Sequence, residues 1–183
     1  MKSYSRLQIS LHWIVALMVI GLFASGFWMV ELTYYSPWYK TAPFWHKSVG
    51  LVLALLVLWR LLLRLNNGPV EPVSGHSKAV TKASHLAHAA LYLLLVLIVC
   101  SGYLISTADG RGIEVFGWFE LSSLGQLFDQ QADRAGLVHQ WAAYSLIALV
   151  VLHALAALKH HFVDKDLTLK RMLSSNLNEE INQ

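Results

Sequence analysis

Six of the nine histidines, His12, His46, His85, His88, His139 and His153, stand inside long apolar stretches. A titratable ring is expensive to keep in such surroundings, so each is a candidate for ligation or proton exchange rather than filler. His139 and His153 are 14 residues apart. On a helix that spacing gives roughly 21 Å of rise and a rotation of only about 40°. One helix face would then offer an imidazole at two well-separated levels. Two rings on one stripe invite two opposing rings, and His12 and His46 become partners if the topology sets them at matching heights.

The elements that must position these rings follow from composition. Hydrophobic residues make up 56% of the 183-residue chain and charged residues only 14%, against about 25% charged in an ordinary soluble domain. Mean hydropathy is +0.48. Residues 7–30, 83–108 and 135–158 contain no Asp, Glu, Lys or Arg, and each exceeds the roughly 20 residues that cross a bilayer as a helix. A fourth span over residues 44–63 holds Lys47 and Arg60 near its ends, where long basic side chains snorkel to the interface. Segments 51–59 and 91–100 are apolar all round, without the polar stripe of a soluble bundle. The first run follows Lys2 and Arg6 as a signal peptide would, but its 24 residues exceed a signal core of about 7–15. The expectation is an all-α membrane protein, a four-transmembrane-helix bundle forming a single domain over 1–183, with spans at about 9–30, 44–65, 83–106 and 135–160.

The N-terminus, the second loop and the tail hold ten of the 14 basic residues; Lys40, Lys47, Arg111 and Arg134 lie in or beside the other loops. The positive-inside rule then puts both termini in the cytoplasm. Trp38, Trp45, Trp118 and Trp141 fall at the outer boundary, as an aromatic belt does. The formal charge of +3 comes in bunches between uncharged runs, which does not describe a nucleic-acid surface. The single cysteine, Cys100, excludes an intrachain disulfide. Residues 66–77, with Pro69 and Pro72, read as an inner loop, residues 107–134 as a longer outer connection, and the tail after Asp164 as polar with room for a short surface helix.

This topology sets His12 and His153 at the inner level and His46 and His139 at the outer level. Each pair brings imidazoles from two helices toward each other, as axial ligation of a haem requires, and two irons so placed make an electron path across the bilayer. The residues four positions on, Ala16, Gly50, Ala143 and Ala157, are small and leave room beside a ring. Zinc needs three or four tightly clustered ligands; His85 and His88 form a short pair, but no carboxylate or thiol stands near them in sequence. Hydrogen bonding to haem propionates or a quinone, or simple packing, remains open for these two. Arg60 and Arg64 follow His46 by 14 and 18 residues, nearly on its face. They can pair with propionates of an inner haem or anchor the helix at the inner leaflet. His160 extends the stripe of His153 by seven residues, where an imidazole could trade protons with a quinone. Lys159 and His161 beside it read as a solvated cluster.

The segments YSRLQISLHW (4–13), FWHKSVG (44–50), WRLLLRL (59–65), HLAHAALYLL (85–94) and KHHFVDKDLTLKRML (159–173), with the His139–His153 spacing, resemble the bacterial cytochrome b561 family, which is related to cytochrome b subunits of membrane hydrogenases and formate dehydrogenases. They cover most of the chain. The resemblance implies a di-haem membrane cytochrome of the bacterial inner membrane, with His12, His46, His139 and His153 as haem ligands. It also implies electron exchange with ubiquinone near His160, and superoxide oxidation on the outer face. The outer connection nets −3, from Asp109, Glu114, Glu120, Asp129 and Asp133 against Arg111 and Arg134, and a negative mouth slows an anionic donor.

The leading expectation is therefore an oxidoreductase moving electrons from an outer one-electron donor such as superoxide, through two b haems, to ubiquinone, with no protein partner required. The alternative is a membrane-anchor cytochrome b relaying electrons between a partner dehydrogenase and quinone. A non-redox histidine transporter would be colourless. No phosphate-binding glycine loop or nucleophile–base motif is present.

Overall fold

A computed structural model describes residues 4–68 and 76–174. Four helices, α1 (Arg6–Met29), α2 (Thr41–Asn67), α3 (Lys78–Ser106) and α4 (Gln131–Phe162), are each long and apolar enough to cross a membrane. They overrun the expected spans by several residues, because polar termini that hydropathy discounts still form helix. Ser5 opens α1 in a capping box: its hydroxyl accepts from Gln8 N–H at 3.3 Å and Gln8 Oε1 accepts from Ser5 N–H at 2.9 Å. Ser77 caps α3 by accepting from Val80 N–H. Pro69 and Pro72 lie outside the described residues.

The chain runs up and down, so α1 begins and α4 ends on one face of the bundle, here the terminal face. The short connection between α1 and α2, and the longer one between α3 and α4, lie on the opposite face. That longer connection carries an element the sequence did not announce. Strands β1 (Ile113–Val115) and β2 (Phe119–Leu121) pair antiparallel, with Val115 opposite Phe119. Phe116 (φ 50°) and Gly117 (φ 74°) make the turn. Ile113 and Val115 are buried, and the fully buried Ser48 of α2 holds the hairpin down by accepting from Phe116 N–H at 3.1 Å. Three-residue strands are too short for alternation to register in sequence. Gln131 clamps the rest of this loop, accepting from Leu127 N–H and donating to Leu104 O.

Val15, Val19, Leu53, Val57, Leu95 and Leu146 form the buried core, a layer in sequence midway between the two histidine levels. Outside it, Leu17, Leu55, Leu93 and Leu152 are all more than 60% exposed, as lipid-facing leucines must be. α1 packs closely along α2 and α3 along α4, while α2 and α4 scarcely touch. The bundle is two tight helical hairpins held apart, with space between the helices that carry His46 and His139.

Candidate functional site

Near the hairpin face, the rings of His46 and His139 stand with centres 6.4 Å apart and planes at 67°. Near the terminal face, His12 and His153 stand 6.3 Å apart at 68°. The near-identity of two independent pairs is the main geometric feature of the protein. Two imidazoles sharing a metal, at about 2 Å from each ligating nitrogen, have ring centres roughly 6 Å apart. Direct stacking would be closer, so both gaps are the width of one metal plane.

The hairpin-face rings are oriented from behind. His46 Nδ1 lies 3.0 Å from Ser25 Oγ, which itself donates to Leu22 O at 3.0 Å. The hydroxyl proton is thus committed, and the oxygen accepts from Nδ1–H. His139 Nδ1 lies 3.0 Å from Ile98 O, which can only accept, and 3.2 Å from Ser101 Oγ, which donates to Leu97 O. In both rings the proton belongs on Nδ1, leaving the Nε2 lone pair for a metal. The residue after each serine is glycine. A Cβ at Gly26 would stand 3.3 Å from His46 Cε1, and one at Gly102 would stand 3.2 Å from His139 Cε1. Glycine lets the neighbouring helix approach this closely without displacing the ring, which an added Cβ would press aside by a few tenths of an ångström. A Cβ at Gly50 would meet nothing within 4 Å, so the space beside His46 is open. The two Ser-Gly pairs, 25–26 on α1 and 101–102 on α3, were not among the residues singled out from sequence. Their only signal was a polar–glycine dipeptide within an apolar span, near its end.

Two clefts flank this pair. One, of about 360 Å³, is lined by Gly21, Ser25, Trp28, Trp38, Trp45 and His46. The other, of about 170 Å³, is lined by Ser101, Phe128, Arg134 and Val138 among others. Arg134 is one of the residues lining this second cleft, whose wall is almost wholly apolar, and Arg111 is engaged with Asp109 at 2.5 Å.

The terminal-face pair is more crowded. His88 of α3 points its ring at His153, with centres 5.3 Å apart at 78°, and donates from Nδ1 to Ser84 O at 2.7 Å. His85, one turn earlier, is exposed. Half-buried Arg60 lies within electrostatic range of His12, His88 and His153. Among the described residues no carboxylate pairs with it, and Tyr4 and Tyr92 are its polar neighbours. His12 Nδ1 is buried with no hydrogen-bond partner among the described residues. A cation and an orphaned imidazole nitrogen around a ring-sized gap suit a porphyrin with acidic substituents. Arg64, within electrostatic range of Arg60 and His88, is exposed, with its guanidinium 5.8 Å from the centre of the Tyr92 ring.

Beyond the last turn of α4 the chain folds back. Trp13 donates from Nε1 to Met172 O at 2.7 Å, and the short 3₁₀ turn Lys170–Met172 buries Arg171. His160 meets this tail: its Nδ1 is 2.7 Å from Asp164 Oδ2 and 3.4 Å from Asp166 Oδ2. His76, unremarked in the sequence, joins them from the segment before α3, with Nε2 2.7 Å from Asp166 Oδ2. A hydrogen bond from Lys159, with the His160 ring close by, holds the Asp164 carboxyl below its usual range. For Asp166 burial works upward, but bonds from Thr168 N–H and His76 outweigh it and the carboxyl is lowered.

The family model for prokaryotic cytochrome b561 matches residues 3–175. The chain is 47% identical over 175 residues to cytochrome b561 homolog 2 of Escherichia coli K12, covering 96% of this chain and 93% of that one. It is 34% identical over 177 residues to a probable superoxide oxidase CybB of Yersinia pestis, covering 94% and 96%. Against cytochrome b562 of Cereibacter sphaeroides the identity is 33% over 175 residues, covering 93% and 94%.

Proposed function

This chain belongs to the prokaryotic cytochrome b561 family, multi-pass bacterial membrane proteins that bind b haem and transfer electrons, and from that premise we propose that it carries electrons between a donor at the hairpin face and ubiquinone at the terminal face. His46 and His139 hold one b haem and His12 and His153 a second, and each haem, when bound, supplies a one-electron iron couple. The single observation that carries the reading is the pair of equal imidazole gaps, 6.4 and 6.3 Å, at two levels of one bundle.

The chain's own residues do the rest. Ser25, Ser101 and Ile98 O fix the hairpin-face imidazoles in the tautomer that presents Nε2. Arg60 supplies the positive charge that propionates at the terminal face require, and His88 packs beside His153 to orient the ring or bond a propionate. Arg64, at the membrane edge, anchors α2 and pairs with a propionate only if its side chain swings off Tyr92. The apolar core between the levels excludes water from the path. The 34% identity to a probable superoxide oxidase supports superoxide as the donor. Two superoxide ions give up one electron each. With two protons these convert one quinone to quinol and release two dioxygen molecules. His160 is the proton-exchanging group for that step, set by its carboxylates at the edge of the bundle. The distribution of basic residues supports the bacterial inner membrane with both termini in the cytoplasm, and no protein partner is required.

The test is haem per chain, by pyridine haemochrome, with the reduced-minus-oxidised spectrum of the detergent-purified protein. Two low-spin b haems are expected, with His46→Ala and His12→Ala each losing one. One haem in the native protein would remove one pair from the scheme. A preparation expressed with ample haem that stays colourless would overturn the reading.

A further inference from the structure

Four ligand-type side chains from three separate stretches of chain converge on the terminal face, outside the imidazole pairs. They are His76 from the segment before α3, His160 from the last turn of α4, and Asp164 and Asp166 from the tail. The ligating atoms of His76, His160 and Asp166 all lie within 4.8 Å of one another. Asp164 Oδ2 stands 2.7 Å from the same His160 nitrogen. The rings of His76 and His160 have centres 4.6 Å apart, tilted by 37°.

We propose that His76 Nε2, His160 Nδ1 and the carboxylates of Asp166 and Asp164 form a binding site for a divalent first-row transition-metal ion of the zinc type. The ligand set, two imidazoles and two carboxylates, is one that zinc accepts. Tetrahedral ligands at about 2.0–2.1 Å from zinc stand roughly 3.4 Å from each other. His160 Nδ1 and Asp166 Oδ2 are already 3.4 Å apart. The other two contacts, both 2.7 Å, open by a few tenths of an ångström with small side-chain rotations. The side chains are 11–32% exposed, enough for an ion to enter and too little for water to serve all their polar atoms.

A second observation separates this cluster from a plain hydrogen-bonded latch. His160 Nδ1 is buried and makes no hydrogen bond of acceptable geometry, although two carboxylate oxygens lie within ion-pair range of it. Neither oxygen lies along the direction in which a ring N–H would share its proton. A cation between them satisfies all three at once, because a metal accepts lone pairs from several directions. Lys159 also reaches Asp164, at 2.8 Å, so a bound metal displaces that ammonium from the carboxylate. The occupied site would staple the tail and the segment before α3 to the end of α4. This inference does not rest on the quinone assignment, since the site is built from Nδ1 of His160 and needs no substrate.

The test uses the full-length, haem-loaded protein in mild detergent, stripped with a chelator and titrated with zinc sulfate by calorimetry, with metal content counted after gel filtration. One zinc per chain with micromolar affinity is expected. His76→Ala and Asp166→Ala should each weaken it by at least about tenfold, while His161→Ala, next in the chain but outside the cluster, leaves it unchanged. His76→Gln and Asp166→Asn, close in shape, should weaken zinc in the same way. An unaltered haem spectrum and elution volume in each variant shows that the fold is intact. Absence of saturable zinc binding by the unmutated protein would overturn the proposal, as would binding that survives in the variants of both His76 and Asp166. Neither result touches the haem count on which the electron-transfer reading stands.

Discussion

Ser25 Oγ on α1 lies 3.0 Å from His46 Nδ1 on α2 and is the only hydrogen-bond partner of that ring among the described residues. His139, its counterpart across the gap, has two: Ser101 Oγ and the backbone carbonyl of Ile98. The two rings are held with the same tautomer but unequal redundancy.

Unequal redundancy predicts unequal mutants. Ser25→Ala leaves His46 Nδ1–H without its acceptor and the ring free to turn. Hairpin-face haem should be lost about tenfold faster, the lower end of the effect of removing a partner behind a metal ligand. Ser101→Ala leaves the Ile98 carbonyl in place and should cost markedly less. Haem-transfer kinetics to an apo-globin would measure both. Equal loss from the two variants would overturn the role of the Ile98 carbonyl as a second acceptor, and no loss from either would show that the serines do not orient the rings.

The glycines beside those serines set the ring position sterically. Gly102→Val places carbons where a Cβ alone already stands 3.2 Å from His139 Cε1. The ring must yield, so the hairpin-face haem should be largely lost while the terminal-face haem remains. Pyridine haemochrome would then read about half the native value, on the two-haem scheme. Gly136→Ala, where a Cβ meets nothing within 4 Å, is the matching control and should keep full haem.

Much of this arrangement was readable from sequence because it depends on helix geometry alone. Alternating topology and the 14-residue spacing of His139 and His153 fix which rings share a level, and no side-chain detail enters. The partners behind the rings were not readable. Whether Ser25 faces His46 depends on the rotation of α1 against α2, which apolar all-round helices do not encode in a polar stripe. His76 was invisible for a related reason: its partner Asp166 lies 90 residues away, and only the folded-back tail brings them together. The hairpin at Ile113–Val115 and Phe119–Leu121 escaped because its register is fixed from outside, by Ser48 under Phe116.

Arg60 and Arg64 differ in a way that redox titration would detect. Arg60 is half-buried in range of His12 and His153, while Arg64 is exposed over Tyr92. A fixed positive charge favours the reduced, less positive iron. Removing it with Arg60→Gln should lower the midpoint potential of the terminal-face haem. A unit charge on the order of 10 Å away, at an effective dielectric near 20, amounts to about 1–2 kcal/mol. Arg64→Gln should shift the same midpoint far less, because solvent screens an exposed charge. A rise in potential for Arg60→Gln would contradict the placement of that charge.

His160 separates electron delivery from proton delivery. Converting a quinone to quinol takes up two protons with two electrons, and the four axial imidazoles are committed to iron in this scheme and cannot supply them. His160 lies outside both pairs, in the last turn of α4, with its Nδ1 facing two carboxylates. In His160→Ala both haems should bind and should still be reduced by dithionite at the native rate, because neither pair is touched. Quinol formation from a soluble quinone analogue should fall by about a hundredfold, the lower range for loss of a positioned acid–base group. The loss should ease at lower pH, where solvent protons substitute for the missing imidazole, and the measurement is the quinol rate across pH with chelator present so that no metal occupies the carboxylates. A His160→Ala protein that forms quinol at the native rate would move proton delivery elsewhere on the terminal face. One that loses haem would show that the last turn of α4 supports the His153 level structurally.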